Sequence, residues 1–520
     1  MLKIPRNTDL IWGDQQIEPP FGTEHFLVVG ASGSGKTTII NRMLRSVFTS
    51  GFRFRSMIYD PKQEVLPYLY GLTMSQTGRV KVLHPFDTRS CAWDLAEDLN
   101  GPVSARQFAT NLITDDEEGP GSESFFTNAV RDLLTGIILS FINCVPNPKS
   151  WTFRDLILTM LYEPYLRFIL EMNLTRDNDP FPFAARLRES YLTGDTRTTS
   201  NIRATINTKL SIYEPVAAVW HLAQEAKQTF ALSKWVKEGC RDVLVLGNDE
   251  SSRAAIDAIN QAIFKRATEL LLANREAKTS EKNTGENQTW FFLDEVREAG
   301  KLDGLSRLLT KGRSKGACIV LGFQDIDGMR NAYGEEIAHE ICGQCNNIAV
   351  LKLNSPSTAK WATELFGSRL TQTRNSSGGM GRGGVQASAG VGEEERPWVY
   401  TSDLLYTPPT SLSAGLRGHF RSPDIDPEKN DLSVHLDWNT DIKPFLPTPH
   451  PDVAVKEAIN KISPFCARIP RNVPEHYLKP WNAKDWDRLG LTCPIPAWQT
   501  DPSLITAVPP SKAPPPDRKR

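Results

Sequence analysis

An α/β fold with a predominantly parallel sheet, interrupted by an all-helical insert, is what this 520-residue sequence predicts. Three observations predict it. Short, continuously apolar runs recur at 26–29, 56–59, 80–83, 243–246, 290–293, 318–321 and 347–353, each followed by a loop and a helical pattern. Runs of that kind, separated by helices, are strands covered on both faces. Between about 102 and 228 the strand signal vanishes, and helical patterns such as 125–142, 153–161 and 199–210 replace it. Finally, a glycine-rich loop links the first apolar run to the first helix.

That loop reads Gly30-Ala31-Ser32-Gly33-Ser34-Gly35-Lys36-Thr37-Thr38, of the form G-x-x-x-x-G-K-[ST]. Phe26-Leu27-Val28-Val29 precedes it, and Ile39-Ile40-Asn41-Arg42-Met43-Leu44 follows at helical spacing. The strand–loop–helix context marks a phosphate-binding loop. Glycines let the backbone wrap phosphates without Cβ clashes, successive N–H groups form an anion nest, and the helix N-terminus adds partial positive charge. Lys36 is expected to reach the β- and γ-phosphates of ATP, and the Thr37 hydroxyl to ligate Mg²⁺.

The strands of the second half supply the partner groups. Trp290-Phe291-Phe292-Leu293-Asp294-Glu295 is an apolar strand ending in two carboxylates. Asp294 is expected to hold Mg²⁺ through water and Glu295 to polarise an attacking water as general base. The run at 318–321 leads into Gly322-Phe323-Gln324, placing a side-chain amide just past a strand's C-terminal end, where open α/β sheets bind ligands. Gln324 there can sense the γ-phosphate. Arg313, in a glycine-bracketed turn, suits an arginine finger reaching a neighbouring subunit. It equally suits a basic, solvated turn with Lys311 and Lys315. Together these parts describe a RecA-like phosphate-loop NTPase core.

Four stretches fall outside the rhythm. Asp115-Asp116-Glu117-Glu118-Gly119-Pro120-Gly121 and residues 278–288 read as surface loops, and 375–395, rich in Gly and Ser, as a flexible loop or linker. After Pro423 prolines accumulate, and Pro509 to Arg520 reads as a disordered basic tail. The expected division is therefore 1–101 and 229–425 for the two parts of the nucleotide-binding domain, 102–228 for the all-α insert, and 426–520 for an irregular C-terminal extension.

Composition adds limits. With 60 basic and 61 acidic residues the net charge is −1, so any basic surface for nucleic acid must be local. The longest apolar stretch, 133–142, falls short of the ~20 residues of a membrane span and reads as a buried helix. The N-terminus lacks a signal-peptide apolar region, and eight scattered cysteines suit a reducing compartment, so a cytoplasmic location is expected. Cys342-Gly343-Gln344-Cys345 lacks a second CxxC or a histidine pair, and two half-buried thiols compete there with a metal or redox role.

One combination is more specific. Phe292-Leu293-Asp294-Glu295, Gly300-Lys301-Leu302, Leu308 to Gly316 and Gly322-Phe323-Gln324, with Ile58-Tyr59-Asp60-Pro61-Lys62, Val82-Leu83-His84-Pro85-Phe86-Asp87 and Trp93, resemble the coupling proteins of type IV secretion and conjugation over roughly 20–420. The resemblance implies a hexameric, RecA-like motor that hydrolyses ATP to move DNA through a central channel and passes a relaxase–DNA substrate to a secretion channel. It assigns ATP and Mg²⁺ to Lys36, Thr37, Asp294 and Glu295, an inter-subunit role to Arg313, and the motif glutamine to Gln324. DNA contacts would go to the backbone, with Arg106, Arg203 and Lys209 of the insert as candidates that are otherwise ordinary surface charges. Two features depart from the family. Its members usually begin with transmembrane helices, whereas here the loop starts at Gly30, so the expectation is either a membrane-free member or an anchor supplied by another protein at the inner membrane. Val296-Arg297-Glu298-Ala299 also stands where a more apolar run is common. Two other readings stand beside the first: a soluble DNA helicase or translocase, and an ATP-dependent module docking protein substrates.

Overall fold

The computed structural model describes residues 10–492, except 52, 63, 73–78, 88, 115–121, 173–181, 238–239, 275–286, 382–383, 424–426, 429–430 and 449–476. The acidic loop at 115–121, most of the loop at 278–288 and the basic tail lie outside the described residues.

Every apolar run becomes a strand: β1 (Phe26–Val29), β2 (Phe54–Asp60), β3 (Val80–Val82), β4 (Val243–Gly247), β5 (Gln288–Leu293), β6 (Ala317–Phe323) and β7 (Asn347–Val350). Side chains alternate across a strand, so an unbroken apolar run needs cover on both sides. Leu27, Val29, Phe291, Leu293, Ile319 and Leu321 enter one core, and Phe26, Val28, Trp290, Phe292, Cys318 and Val320 the other. The second core is closed by the helix Lys36–Thr49 through Ile39, Ile40, Met43, Leu44 and Val47. The first is closed by helices including Arg253–Ala273 and Leu305–Lys311.

Two strands beyond these, β8 (Leu416–Arg421) and β9 (Ser433–Leu436), complete a nine-stranded sheet of order β9-β8-β7-β1-β6-β5-β2-β4-β3. Pairing is parallel from β7 through β3, and β8 and β9 join antiparallel. Leu416–Arg421 alternates buried and partly or fully exposed residues, the signature of an antiparallel strand covered on one face. The sheet thus continues past residue 425. The decisive feature is β6, which separates the strand before the phosphate loop from the strand before Asp294. It brings Gln324 between them.

Between β3 and β4 the insert is helical as expected, with helices including Pro102–Leu112, Ser122–Asn143, Phe153–Leu161, Glu163–Glu171, Thr196–Leu210 and Glu214–Glu225. Ser122–Asn143 contains a stretch long and apolar enough to cross a membrane, yet Val130, Leu133, Leu134, Ile137, Ile138 and Phe141 are buried among the other helices. The neck is a two-residue parallel pair, Ala92–Trp93 with Thr229–Phe230. Beside it the buried Asp98 carboxylate accepts from Trp93 Nε1 (2.6 Å) and from the Leu232 and Ser233 amides (2.7 and 2.8 Å).

One expectation is corrected. Residues 375–395 belong to an antiparallel hairpin, Ser368–Gly381 with Gly384–Pro397, in register from Ser368↔Pro397 to Gly381↔Gly384. Strand pairing satisfies the backbone without a packed core, which glycine-rich composition does not forbid. The hairpin leaves the body beside Trp398, over whose ring the Arg369 guanidinium lies 4.5 Å from the centroid.

The C-terminal extension also holds unexpected order. Residues 477–492 seat on the insert: Trp481 stacks on Tyr165 at 4.4 Å, and Trp486 meets Tyr165 and Phe168 edge-on. The charges interlock, with Arg154 on Asp485 at 3.0 Å and Arg488 bonded to both oxygens of the fully buried Asp155 at 2.9 Å. Arg488→Ala removes two charge-assisted bonds from a buried carboxylate. The opening free energy of the helix Ala483–Leu489 is expected to fall by about 2 kcal/mol. Hydrogen exchange across that helix measures it, and unchanged protection would mean the ion pair does not hold the segment.

Candidate functional site

The phosphate loop is tied back to the sheet by its first residues. The amide of Gly30 donates to Phe323 O (3.3 Å) and that of Ala31 to Lys352 O (2.8 Å), so β6 and the end of β7 set its position. Gly35 has φ 99°, a left-handed conformation that a side chain would strain. A Cβ there would also fall 2.5 Å from Leu416 Cδ1 and 2.7 Å from Thr410 Oγ1. Helix Lys36–Thr49 then starts with its N-terminus at the loop.

Five of the expected side chains converge. Lys36 Nζ donates to Gly30 O at 2.9 Å and pairs with Glu295 Oε1 at 3.0 Å, both side chains being more than nine-tenths buried. Gln324 Nε2 donates to the same Glu295 oxygen at 3.1 Å. Thr37 Oγ1 donates to Asp294 Oδ2 at 2.9 Å, a bond that joins residues 257 apart in sequence. Glu295 sits at φ 58°, an uncommon conformation for a non-glycine residue, which turns its carboxylate away from the strand direction and onto Lys36.

Burial is the largest influence on Asp294 and raises its carboxyl above the ordinary range. The Thr37 hydroxyl, Lys36 and Lys62 work against that, while Glu295 adds to it. Asp294 Oδ1 is buried without a protein hydrogen-bond partner, and the neighbouring Thr37 hydroxyl is a second hard oxygen. An oxygen donor set with one lone carboxylate oxygen fits Mg²⁺, which takes few protein ligands and keeps waters and phosphate oxygens. Among the described residues no group of three or more His, Cys, Asp or Glu suits a metal. Cys342 and Cys345 are buried, and burial raises both thiols, so the CxxC pair is packed and largely protonated.

These groups line a cleft of about 400 Å³ formed by Ala31, Ser32, Gly33, Gly35, Lys36, Thr37, Thr38, Lys62, Glu295, Gln324, Thr410, Ser411, Leu412 and Trp438. A larger cleft of about 650 Å³ lies at the base of the hairpin, with Arg369, Arg417, Asp403 and Asp431 in its wall, but it holds none of the phosphate-loop groups. Chemistry, not size, selects the smaller one. Sequence reading missed Lys62, which it quoted only as part of a motif, and missed Thr410 to Leu412 and Trp438 altogether. The turn after β2 carries Lys62 to the cleft. There Asp60, raised to about 6 chiefly by burial, accepts from the Glu64 and Val65 amides.

Arg313 is not brought to this cleft in its own chain. It lies in the turn before β6, ion-paired with Glu24 just before β1, at the end of the sheet opposite Gln324. Seven residues of β6 span about 20 Å. In the insert, Arg106 pairs with Asp132, Arg203 pairs with Glu163 at 2.7 Å, and Lys209 Nζ donates to Thr114 O at 3.1 Å. All three are engaged on the insert surface.

Comparison with known proteins agrees with this architecture. The family model described as the type IV secretion-system coupling protein DNA-binding domain matches residues 16–416. The coupling protein TraD of Escherichia coli (strain K12) is 23% identical over 424 residues, 80% of this chain and 54% of TraD. The type IV secretion system-coupling protein VirD4 of Bartonella quintana (strain Toulouse) is 20% identical over 405 residues, 74% of this chain and 59% of VirD4. The chain thus spans little more than half the length of these relatives. The solved structure of the plasmid coupling protein TrwB in complex with ADP and Mg²⁺ shares the fold, with a TM-score of 0.59 at 17% identity over 86% of this chain and 93% of that one. A second TrwB structure, with a non-hydrolysable ATP analogue, gives 0.58 at 17% identity over 85% and 91%. With most of its length matched by that model, the chain belongs to the type IV secretion-system coupling protein family.

Proposed function

We propose that this protein is an ATP-hydrolysing DNA translocase, a coupling protein that moves DNA, or relaxase-bound DNA, toward a secretion channel. The observation that carries the reading is the junction of Lys36, Glu295 and Gln324 beside the Thr37–Asp294 pair, at the C-terminal ends of adjacent strands. ATP phosphates enter the loop and take Lys36 from Glu295, since both need its ammonium. The released carboxylate keeps its bond to Gln324 and accepts a proton from the attacking water as general base. Thr37 and Asp294 would hold Mg²⁺, which neutralises charge on the β- and γ-phosphates. Gln324, bonded to the base and seated at the end of β6, registers whether the γ-phosphate is present.

Family membership, by a model named for a DNA-binding domain, supports the DNA substrate, and TrwB bound to ADP and Mg²⁺ supports the nucleotide. The working unit is a homo-hexamer, with 1–101 and 229–425 as the motor, 102–228 as the insert and 426–520 as the extension. It acts in the cytoplasm, held at the membrane by secretion-channel partners. Steady-state ATPase activity with and without single- and double-stranded DNA, at two salt concentrations, tests the reading. Salt-sensitive stimulation by DNA is the expected result, and a DNA-indifferent rate in an assembled, active enzyme would favour a protein-docking module.

Arg313 acts between subunits in this reading. Arg313→Ala is expected to lower turnover by about 10³-fold in uniform assemblies. Mixing it with Lys36→Ala chains, which keep Arg313, restores part of the rate. If no mixing ratio complements, Arg313 belongs only to its ion pair with Glu24.

A further inference from the structure

We propose that Trp438 is the platform on which the purine of the bound nucleotide stacks, so that a segment beyond the family-matched residues completes the nucleotide site. The inference rests on the nucleotide reading above and deepens it. The cleft has two unlike ends. Ala31 to Gly33, Gly35 to Thr38, Glu295, Gln324 and Lys62 make a polar, charged end, and Lys62 belongs there because its charge acts on Asp294. The remaining wall is Thr410, Ser411, Leu412 and Trp438, which carries no charged side chain. A triphosphate seated on the loop must extend its base toward that wall.

The wall is built onto the loop. Thr410 Oγ1 donates to Ser34 O at 2.6 Å, and Leu416 and Thr410 lie against Gly35, where any Cβ would collide with them. Trp438 opens a turn, Trp438–Ile442, that Asp437 caps by accepting from the Asn439 and Thr440 amides at 2.9 and 3.0 Å. Ile442 is fully buried, and the following Leu446 carbonyl accepts from Arg45 of the loop's own helix at 3.3 Å. Trp438 itself is only half-buried, and Leu412, which lines the same cleft, is 70% exposed. A half-covered indole in a nucleotide-sized cleft that an uncovered leucine also lines offers an apolar surface for a base. Among the wall's side chains the polar groups are two hydroxyls and the indole N–H; the Thr410 hydroxyl already donates to Ser34 O, and the Ser411 hydroxyl already accepts from the Ala414 amide at 3.0 Å. Recognition is therefore by stacking, which tolerates either purine.

The test separates the base from the phosphates. Full-length wild type, Trp438→Ala and Trp438→Phe are titrated with a fluorescent ATP analogue, and the bound probe is displaced with ATP, GTP or inorganic triphosphate. Trp438→Ala is expected to weaken ATP and GTP alike by about tenfold to a hundredfold and to leave inorganic triphosphate unchanged. Trp438→Phe keeps a stacking face and is expected to stay within about threefold of wild type. An equal loss for triphosphate, or no loss for ATP, overturns the platform. Failure of wild type to bind either ligand would instead overturn the nucleotide reading beneath it.

Discussion

Glu295→Gln is expected to bind ATP at least as tightly as wild type and to hydrolyse it about 10²- to 10⁴-fold more slowly, the contribution of a general base. The amide keeps the shape of the carboxylate and a partner for Gln324, but it cannot take a proton from water. It also removes the Lys36–Glu295 ion pair that incoming phosphates must break, which is why affinity does not fall. The left-handed backbone at 295 is unaffected by the change. Single-turnover phosphate release, set beside an ATP titration, measures both quantities. Hydrolysis within about threefold of wild type would remove Glu295 from the base role, because an amide cannot take the proton from water.

Lys36→Ala acts on the other half of the same pair, with the opposite signature. It removes the ammonium and leaves the buried Glu295 carboxylate facing the phosphates without a counter-charge. Removing one partner of a buried pair is strongly unfavourable, and ATP affinity is expected to fall by about 10²- to 10³-fold, with turnover lost. Part of that loss is repulsion by Glu295, so adding Glu295→Gln to Lys36→Ala should recover about tenfold in binding. Binding by titration in the single and double variants checks this. Strict additivity would mean that Glu295 does not face the phosphates, contrary to its 3.0 Å contact with Lys36.

How much of this was legible depended on where the information sits. The phosphate loop is local: nine consecutive residues, a strand before and a helix after, are enough. The carboxylate pair after β5 is local too, and so is the glutamine after β6. What no local pattern states is that β6 lies between the other two strands, and that order is what puts Gln324 on Glu295. The roof of the cleft was invisible for another reason. Thr410 to Leu412 and Trp438 belong to connections around β8 and β9, whose residues alternate buried and exposed instead of running apolar throughout. The docked segment at Trp481 to Arg488 has no periodicity to find, because its two tryptophans and two ion pairs are matched to partners on the insert more than 300 residues away. Arg313 was readable as a basic residue in a turn, but its attachment to Glu24 at the far end of the sheet was not.

The strand order also decides when the protein can become active during synthesis. In register beside Phe26 stand Val320 on one side and Asn347 on the other. A ribosome adding about 5–20 residues per second makes β1 roughly 15–60 s before β6 emerges. Throughout that interval Phe26-Leu27-Val28-Val29 is an apolar strand with neither neighbour, the kind of edge on which chains aggregate. The helical insert, rich in contacts between successive helices, can fold meanwhile. The nucleotide site thus assembles late although its loop is translated among the first, and ATP can stabilise only chains whose sheet is already complete.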